Sequence, residues 1–216
     1  TGPQSEVEVA WTTPFDDTQL FDPVVTDRLY LAEENGDGTA YALDRGDGSV
    51  TWTRDQGLAG VRCPATISQD RVLAISDEQL QALDSSNGTT TWETSVTPSG
   101  AGALTFAPTV TDNRVFIPTK TGVIALDSDT GQKHWTKNLS EEKHSLQLWT
   151  TPAVRGDFVY TFDRNESEKE LSVCALDRDS GNRQWTTEIE APDEGWNLTN
   201  HVIAGEDHLF VTLRGP

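Results

Sequence analysis

Four histidines, two cysteines and several acid-rich turns are the residues of this 216-residue chain whose chemistry would suit a metal, a nucleophile or a redox pair. Their spacing argues against each use. His134, His144, His201 and His208 show no ligand spacing, and His134, directly before a tryptophan, is expected to face solvent. Cys63 and Cys174 lie far apart, with no C-x-x-C pattern and no paired histidine, so they read as two thiols rather than as zinc ligands. Asp127-Ser128-Asp129-Thr130-Gly131 and Asp177-Arg178-Asp179-Ser180-Gly181 open like a calcium loop but lack the third ligand position and the distal bidentate glutamate. Bare turns explain them. Hydroxyl residues have no G-x-S-x-G setting in which to act as nucleophiles. No catalytic, cofactor-binding or metal-binding residue is assigned on this basis.

Those acidic turns belong to a larger pattern. Ala42-Leu43-Asp44 with Gly48 and Trp52 returns as Ala82-Leu83-Asp84 with Gly88 and Trp92. It returns again as Ala125-Leu126-Asp127 with Gly131 and Trp135, and as Ala175-Leu176-Asp177 with Gly181 and Trp185. The internal spacing is identical each time, so the chain is a repeat protein. Upstream of each copy stands a proline followed by apolar β runs: Pro23 before Leu29-Tyr30-Leu31, Pro64 before Val72-Leu73-Ala74-Ile75, Pro108 before Val115-Phe116-Ile117, and Pro152 before Phe158-Val159-Tyr160. Turn signals such as Thr26-Asp27, Asn35-Gly36, Asp112-Asn113 and Thr121-Gly122 separate the runs.

Four short strands per roughly 40-residue unit, with no helical periodicity, predict an all-β propeller of four-stranded antiparallel blades rather than a sandwich. Repeats are expected at about 20–55, 61–96, 105–139 and 149–189, with a partial one at 198–213 and residues 7–12 as a stray outer strand. In each motif the aspartate carboxylate can cap the turn, and the glycine four residues later supplies the positive φ that closes it. The tryptophan is expected to point from the outer strand into the gap between blades, where its indole N–H needs an acceptor. Asp44, Gly48, Trp52, Asp84, Gly88, Trp92, Asp127, Gly131, Trp135, Asp177, Gly181 and Trp185 are thus read as structural.

The motif Ala-Leu-Asp-x-x-x-Gly-x-x-x-Trp resembles the repeat of the pyrroloquinoline quinone (PQQ) repeat-like propellers, and the likeness runs from about Val7 to Leu213. That superfamily includes quinoprotein alcohol dehydrogenases and the propeller lipoprotein of the outer-membrane β-barrel assembly machinery. The resemblance implies part of a ring usually of eight blades. It also implies that a quinone-binding relative would carry a stacked tryptophan, a disulfide between adjacent cysteines and a calcium held by Glu, Asn and Asp. Cys63 and Cys174 are not adjacent, and Trp149, Trp196 and the motif tryptophans have structural explanations, so neither PQQ nor calcium is expected.

Charge excludes further classes. With 35 Asp plus Glu against 16 Lys plus Arg, a net charge of -19 is spread along the whole chain and repels nucleic acid and anionic membranes. Lysine occurs only at Lys120, Lys133, Lys137, Lys143 and Lys169. An evenly acidic, lysine-poor surface resembles the proteins of extreme halophiles such as halophilic archaea, where molar salt shortens the Debye length to about 3 Å. No apolar run reaches the length of a membrane span, and the absence of methionine means that Thr1 is not a natural translation start. Sequons at Asn87, Asn138, Asn165 and Asn197 matter only for an exported protein.

The chain is therefore read as a non-catalytic, salt-adapted scaffold that works outside the cytoplasm or at the cell surface, with any lipid anchor lying outside these residues. It would bind a protein partner through loops such as Ser140–His144 and Arg164–Glu170. A segment of a PQQ-dependent dehydrogenase and a sensor domain of a signalling protein are the alternatives. Because the chain starts and stops inside repeats, self-association through open blade edges is also expected.

Overall fold

The computed structural model describes residues 8–15, 19–33, 38–55, 65–75, 79–96, 106–119, 121–139, 150–165, 170–189 and 201–212. Among these described residues eighteen strands make up five antiparallel sheets. Blade 1 contains β1 (Val24–Val25), β2 (Arg28–Ala32), β3 (Thr39–Asp44) and β4 (Val50–Asp55). Blade 2 contains β5 (Thr66–Ser68), β6 (Arg71–Ile75), β7 (Gln79–Asp84) and β8 (Thr90–Ser95). Blade 3 contains β9 (Thr109–Thr111), β10 (Arg114–Thr119), β11 (Gly122–Asp127) and β12 (Lys133–Asn138). Blade 4 contains β13 (Ala153–Arg155), β14 (Phe158–Asn165), β15 (Glu170–Asp177) and β16 (Arg183–Ile189), and β17 (His201–Ala204) pairs with β18 (Leu209–Thr212). In every blade the strands follow chain order across the sheet, and the first strands of successive blades approach one another, β5 with β9, β9 with β13 and β13 with β17.

The apolar core lies between blades, not within them. Val115, Ile117, Ile124 and Leu126 pack into the gap towards blade 2 against Leu73, Leu80 and Trp92. Phe116, Val123 and Ala125, one residue out of phase, pack into the gap towards blade 4 against Val159, Cys174 and Leu176. Because successive side chains of a strand point to opposite faces, a strand with a neighbour on both faces needs apolar residues throughout. That is why the second and third strands are largely apolar on both faces, with interruptions such as Gln81, Thr161 and Ser172. Outer strands β4, β8 and β12 are exposed or half-buried at all their other positions but bury their single tryptophan.

A bulge recurs at the motif. The register between third and fourth strands shifts at Ala42/Leu43, Ala82/Leu83, Ala125/Leu126 and Ala175/Leu176. Ala42 faces Trp52 while Leu43 faces Val50, so Thr51 is the extra residue, and its hydroxyl donates back to the Ala42 carbonyl at 3.0 Å. Thr91 repeats this bond to Ala82. Residues 8–12, the described part of the 7–12 expected as a stray outer strand, take no strand pairing, and the side chains of Trp11 and Thr13 hold the segment to the first motif turn instead.

Candidate functional site

Each motif turn is closed from within. The Gly48 N–H donates to the Asp44 carbonyl at 2.9 Å, and the Asp44 N–H donates to Ser49 at 2.8 Å; the same two bonds recur at Asp84, Asp127 and Asp177. The carboxylate then accepts from the turn it encloses: Asp44 from the Gly46 N–H at 2.7 Å, Asp84 from Ser86 and Asn87, Asp127 from Asp129 and Thr130, and Asp177 from Ser180. In three of the turns one hydroxyl donates as well, Thr130 to Asp127 at 2.8 Å and Ser180 to Asp177 at 2.6 Å, with Ser86 doing so at Asp84. These hydroxyl bonds hold the carboxyls of Asp84, Asp127 and Asp177 below their usual range, with the backbone N–H groups adding to the effect.

From without, each turn is covered by the tryptophan of the preceding unit. Trp52 Nε1 donates to the Ser85 carbonyl at 3.0 Å, Trp92 to Ser128 at 3.1 Å and Trp135 to Arg178 at 3.0 Å. In every case the acceptor belongs to the residue just after the motif aspartate. The glycine closing the turn has φ near +70° and lies directly beneath the ring. A Cβ on Gly88, Gly131 or Gly181 would stand 2.7, 2.4 or 2.6 Å from the nearest ring carbon, so the residue must be glycine for packing as well as for backbone reasons. Trp11 does the same to blade 1: its indole donates to the Arg45 carbonyl at 3.1 Å and covers Gly48, while Thr13 donates to the Gly48 carbonyl as Thr94 does to that of Gly131.

Arginines that sequence reasoning passed over reinforce the contact. Arg28 donates to the Ser85 and Ser86 carbonyls at 2.9 Å, Arg71 reaches Asp129 at 2.9 Å, and Arg114 meets the Arg178 carbonyl at 2.6 Å and Asp179 at 3.0 Å. Arg178 in turn crosses the same gap to Asp112 at 2.8 Å. The available signal is that Asp27-Arg28, Asp70-Arg71 and Asn113-Arg114 all open a second strand, whereas the fourth and fifth units have Asp157-Phe158 and Asp207-His208.

Trp185 departs from the expected role. It is 39% exposed, against 8–9% for Trp52, Trp92 and Trp135, and no described residue accepts from its indole. The reason is topological: beyond blade 4 the described residues supply only β17 and β18, and no motif turn. An open cavity of about 490 Å³ remains, lined by Trp185, Phe158, Tyr160, Arg155 and the hairpin Gly205–Leu209. The other sequence expectations fall as follows. His134 is exposed, 3.8 Å from Asp127. His144, Cys63, Trp149, Trp196, Ser140–His144 and residues 166–169 lie outside the described residues.

Among the described residues no three His, Cys, Asp or Glu side chains converge. Cys174 is a thiol buried between blades 3 and 4 among Phe116, Val123 and Val159. No described helix is long and apolar enough to cross a membrane.

Comparison with known proteins agrees with the architecture. BamB from Moraxella catarrhalis superposes with a TM-score of 0.54 at 18% identity, over 85% of this chain and 66% of that one. The quinohemoprotein alcohol dehydrogenase of Comamonas testosteroni gives 0.66 at 20% identity, over 86% and 37%. ADHIIG, the quinohemoprotein alcohol dehydrogenase from Pseudomonas putida HK5, gives 0.67 at 19%, over 83% and 36%. The chain thus spans between about a third and two thirds of the length of these structures, and the likeness is one of fold. No curated protein matches the sequence. The family described as outer membrane protein assembly factor BamB matches residues 5–213, and this protein therefore belongs to that family of PQQ-repeat β-propellers.

Proposed function

We propose that this protein is a non-catalytic propeller scaffold that binds a protein partner, works outside the cytoplasm in concentrated salt and holds no quinone. The observation that carries the proposal is how the shared residues are spent. Every motif aspartate and glycine, and every motif tryptophan except Trp185, is engaged in closing a turn or a gap between blades. What varies between repeats is the loops, which a rigid scaffold presents to partners. The family description, an outer membrane assembly factor, supports an extracytoplasmic place and a protein as partner. A net charge of -19 supports adaptation to salt.

Two measurements test the proposal. Protein given PQQ and calcium should show no dye-linked alcohol oxidation, and turnover would overturn the non-catalytic reading. Its melting temperature should rise as KCl goes from dilute to molar levels, because salt screens the repulsion among the acids. A flat or falling profile would remove the salt-adapted part and leave the scaffold part standing.

A further inference from the structure

One position of the motif turn changes its chemistry from repeat to repeat while keeping its task. Just before the glycine stand Asp47, Asn87, Thr130 and Ser180, and each accepts from the backbone N–H two residues on. Asp47 accepts from Ser49 and Asn87 from Thr89, both at 2.8 Å; Thr130 accepts from Gln132 and Ser180 from Asn182, both at 3.3 Å. Any short acceptor therefore serves the turn. Asparagine before glycine brings something the hydroxyls lack: a carboxamide carbon that the next backbone nitrogen can attack, with no side chain on the glycine to hinder it. Asn87 is exposed to water at the tip of the turn, and the Thr89 N–H polarises its carbonyl.

What stands in the way of that attack is the closed gap between blades 1 and 2. The Gly88 N–H donates to the Asp84 carbonyl at 2.8 Å, and the Asn87 N–H donates to the Asp84 carboxylate at 3.2 Å. To reach the Asn87 side chain, the Gly88 nitrogen must give up its bond and swing about the Asn87 Cα–C axis, carrying Gly88 with it. Gly88 is buried under Trp52, whose ring carbons would stand 2.7 and 2.9 Å from a Cβ there, and Trp52 is itself tied to the Ser85 carbonyl at 3.0 Å. Arg28, also of blade 1, fastens the Ser85 and Ser86 carbonyls at 2.9 Å. The turn is free to swing only once blade 1 lets go of it.

We propose that Asn87 is a deamidation site gated by the gap between blades 1 and 2, inert while Trp52 covers Gly88 and reactive once the gap opens. The Gly88 nitrogen loses its proton to solvent and bonds to Asn87 Cγ. The bond from Cγ to Nδ2 breaks, and the nitrogen takes a proton from solvent and leaves as ammonia, so that a succinimide ring remains. Water then opens the ring. Cleavage at Cγ gives aspartate, whereas cleavage at the main-chain carbonyl gives isoaspartate, in which the backbone runs through the former side chain. The two products have opposite consequences. Aspartate keeps the turn, since Asp47 holds the first turn from the same position. Isoaspartate adds a methylene to the chain before Gly88, which displaces the glycine from beneath the ring and keeps the gap open. A passing opening is thereby made permanent. The proposal rests on the turn alone and does not depend on the function proposed above.

The test ages the full chain at mildly alkaline pH, below its melting temperature, and follows the peptide containing Asn87 by mass spectrometry and isoaspartyl methyltransferase labelling. Asn35-Gly36 falls in a separate tryptic peptide. Wild type in urea should convert, and folded wild type should do so at least about tenfold more slowly, since conversion follows the opened fraction. Trp52→Ala should speed conversion in the folded chain about tenfold, while Trp135→Ala, which loosens a different gap, should leave it near the wild-type rate. Should Trp52→Ala not fold, Trp52→Phe and Arg28→Ala weaken the same cover without removing it; each should accelerate conversion severalfold, and Trp135→Phe should not. Protein carrying isoaspartate at this position should melt below Asn87→Asp. Equal rates in folded and unfolded wild type overturn the proposal, as does equal acceleration by the blade 1 and blade 3 substitutions. Equal melting of the isoaspartate form and Asn87→Asp overturns it too.

Discussion

Blade 3 and blade 4 each end in an outer strand with one tryptophan, and each places an aromatic ring beside it. Trp135 is nevertheless buried and bonded to the Arg178 carbonyl, whereas Trp185 stands in solvent over an open cavity. The local sequences differ little, Lys133-His134-Trp135-Thr136 against Arg183-Gln184-Trp185-Thr186. The difference comes from the neighbour. A blade contributes the ring, but the acceptor and the glycine floor belong to the next repeat, so burial of the tryptophan is a property of the gap. Such a molecule is stabilised gap by gap, as expected of repeat architectures in which each unit contacts only its neighbours.

The sharpest way to break this comparison is to remove both rings separately. Trp135→Ala should lower unfolding stability by about 3–5 kcal/mol through the cavity left between blades. Trp185→Ala, which empties no closed gap, should cost about 0.5 kcal/mol or less. Urea unfolding of the two variants decides the matter, and equal losses would mean that burial in the gap is not what the tryptophan contributes.

What the sequence made legible was the part of this arrangement that is local. Ala-Leu-Asp and the glycine at a fixed offset specify a turn within one repeat, and a lone tryptophan in a polar strand specifies one buried position. The partner of that tryptophan was not legible, because it is a backbone carbonyl 33 to 43 residues further on and carries no side-chain signature. For the same reason the second duty of the glycine escaped notice: its positive φ already explained it, and the ring above it comes from the preceding repeat. The arginines of Arg28, Arg71 and Arg114 were hidden in a different way. An arginine after an acid at a hairpin is an ordinary surface feature until the neighbouring blade shows what it reaches.

A second contrast separates those two duties of glycine. Gly131 and Gly156 both have positive φ, +69° and +56°, but a Cβ at Gly131 would meet Trp92 at 2.4 Å while at Gly156 it would meet nothing within 4 Å. Gly156→Ala should therefore cost only the left-handed backbone penalty, about 1–2 kcal/mol. Gly131→Ala should cost about 1–3 kcal/mol more, because it also pushes the ring out of the gap. Thermal melts that rank the two variants alike would show that the backbone alone requires the glycine.

Smaller again is the arginine contribution. Arg114→Ala removes the bonds to the Arg178 carbonyl and to Asp179, which are partly solvated, and should cost about 1 kcal/mol. A double-mutant cycle with Trp135→Ala should reveal coupling between the two, since both donate to the same carbonyl. Additive losses would make the arginine and the tryptophan independent clasps.

The smallest effect concerns acid. The carboxyls of Asp84, Asp127 and Asp177 titrate below their usual value near 3.8 in the folded protein, chiefly because a hydroxyl of the same turn donates to each. A carboxyl whose folded pKa is depressed contributes stability that is fully present above its unfolded value and disappears as the pH falls through the folded one. Ser86→Ala, Thr130→Val and Ser180→Ala each delete the hydroxyl while leaving the backbone donors in place. Each variant should therefore melt below the wild type at neutral pH, and the difference should close once the pH is well under 3.8, where the wild-type carboxylates are protonated too. The first turn is the internal control. Between Asp44 and Gly48 it carries Arg45, Gly46 and Asp47, and Asp44 accepts from the Gly46 backbone with no hydroxyl to remove. Asp47→Ala there takes away the bond from the Ser49 N–H instead, on a carboxyl that is likewise lowered, by its side-chain and backbone bonds to Ser49, so its effect should fade over the same pH window. A melting difference for Ser180→Ala that stays constant from neutral to strongly acid pH would show that the hydroxyl acts on the turn without regard to the charge of Asp177.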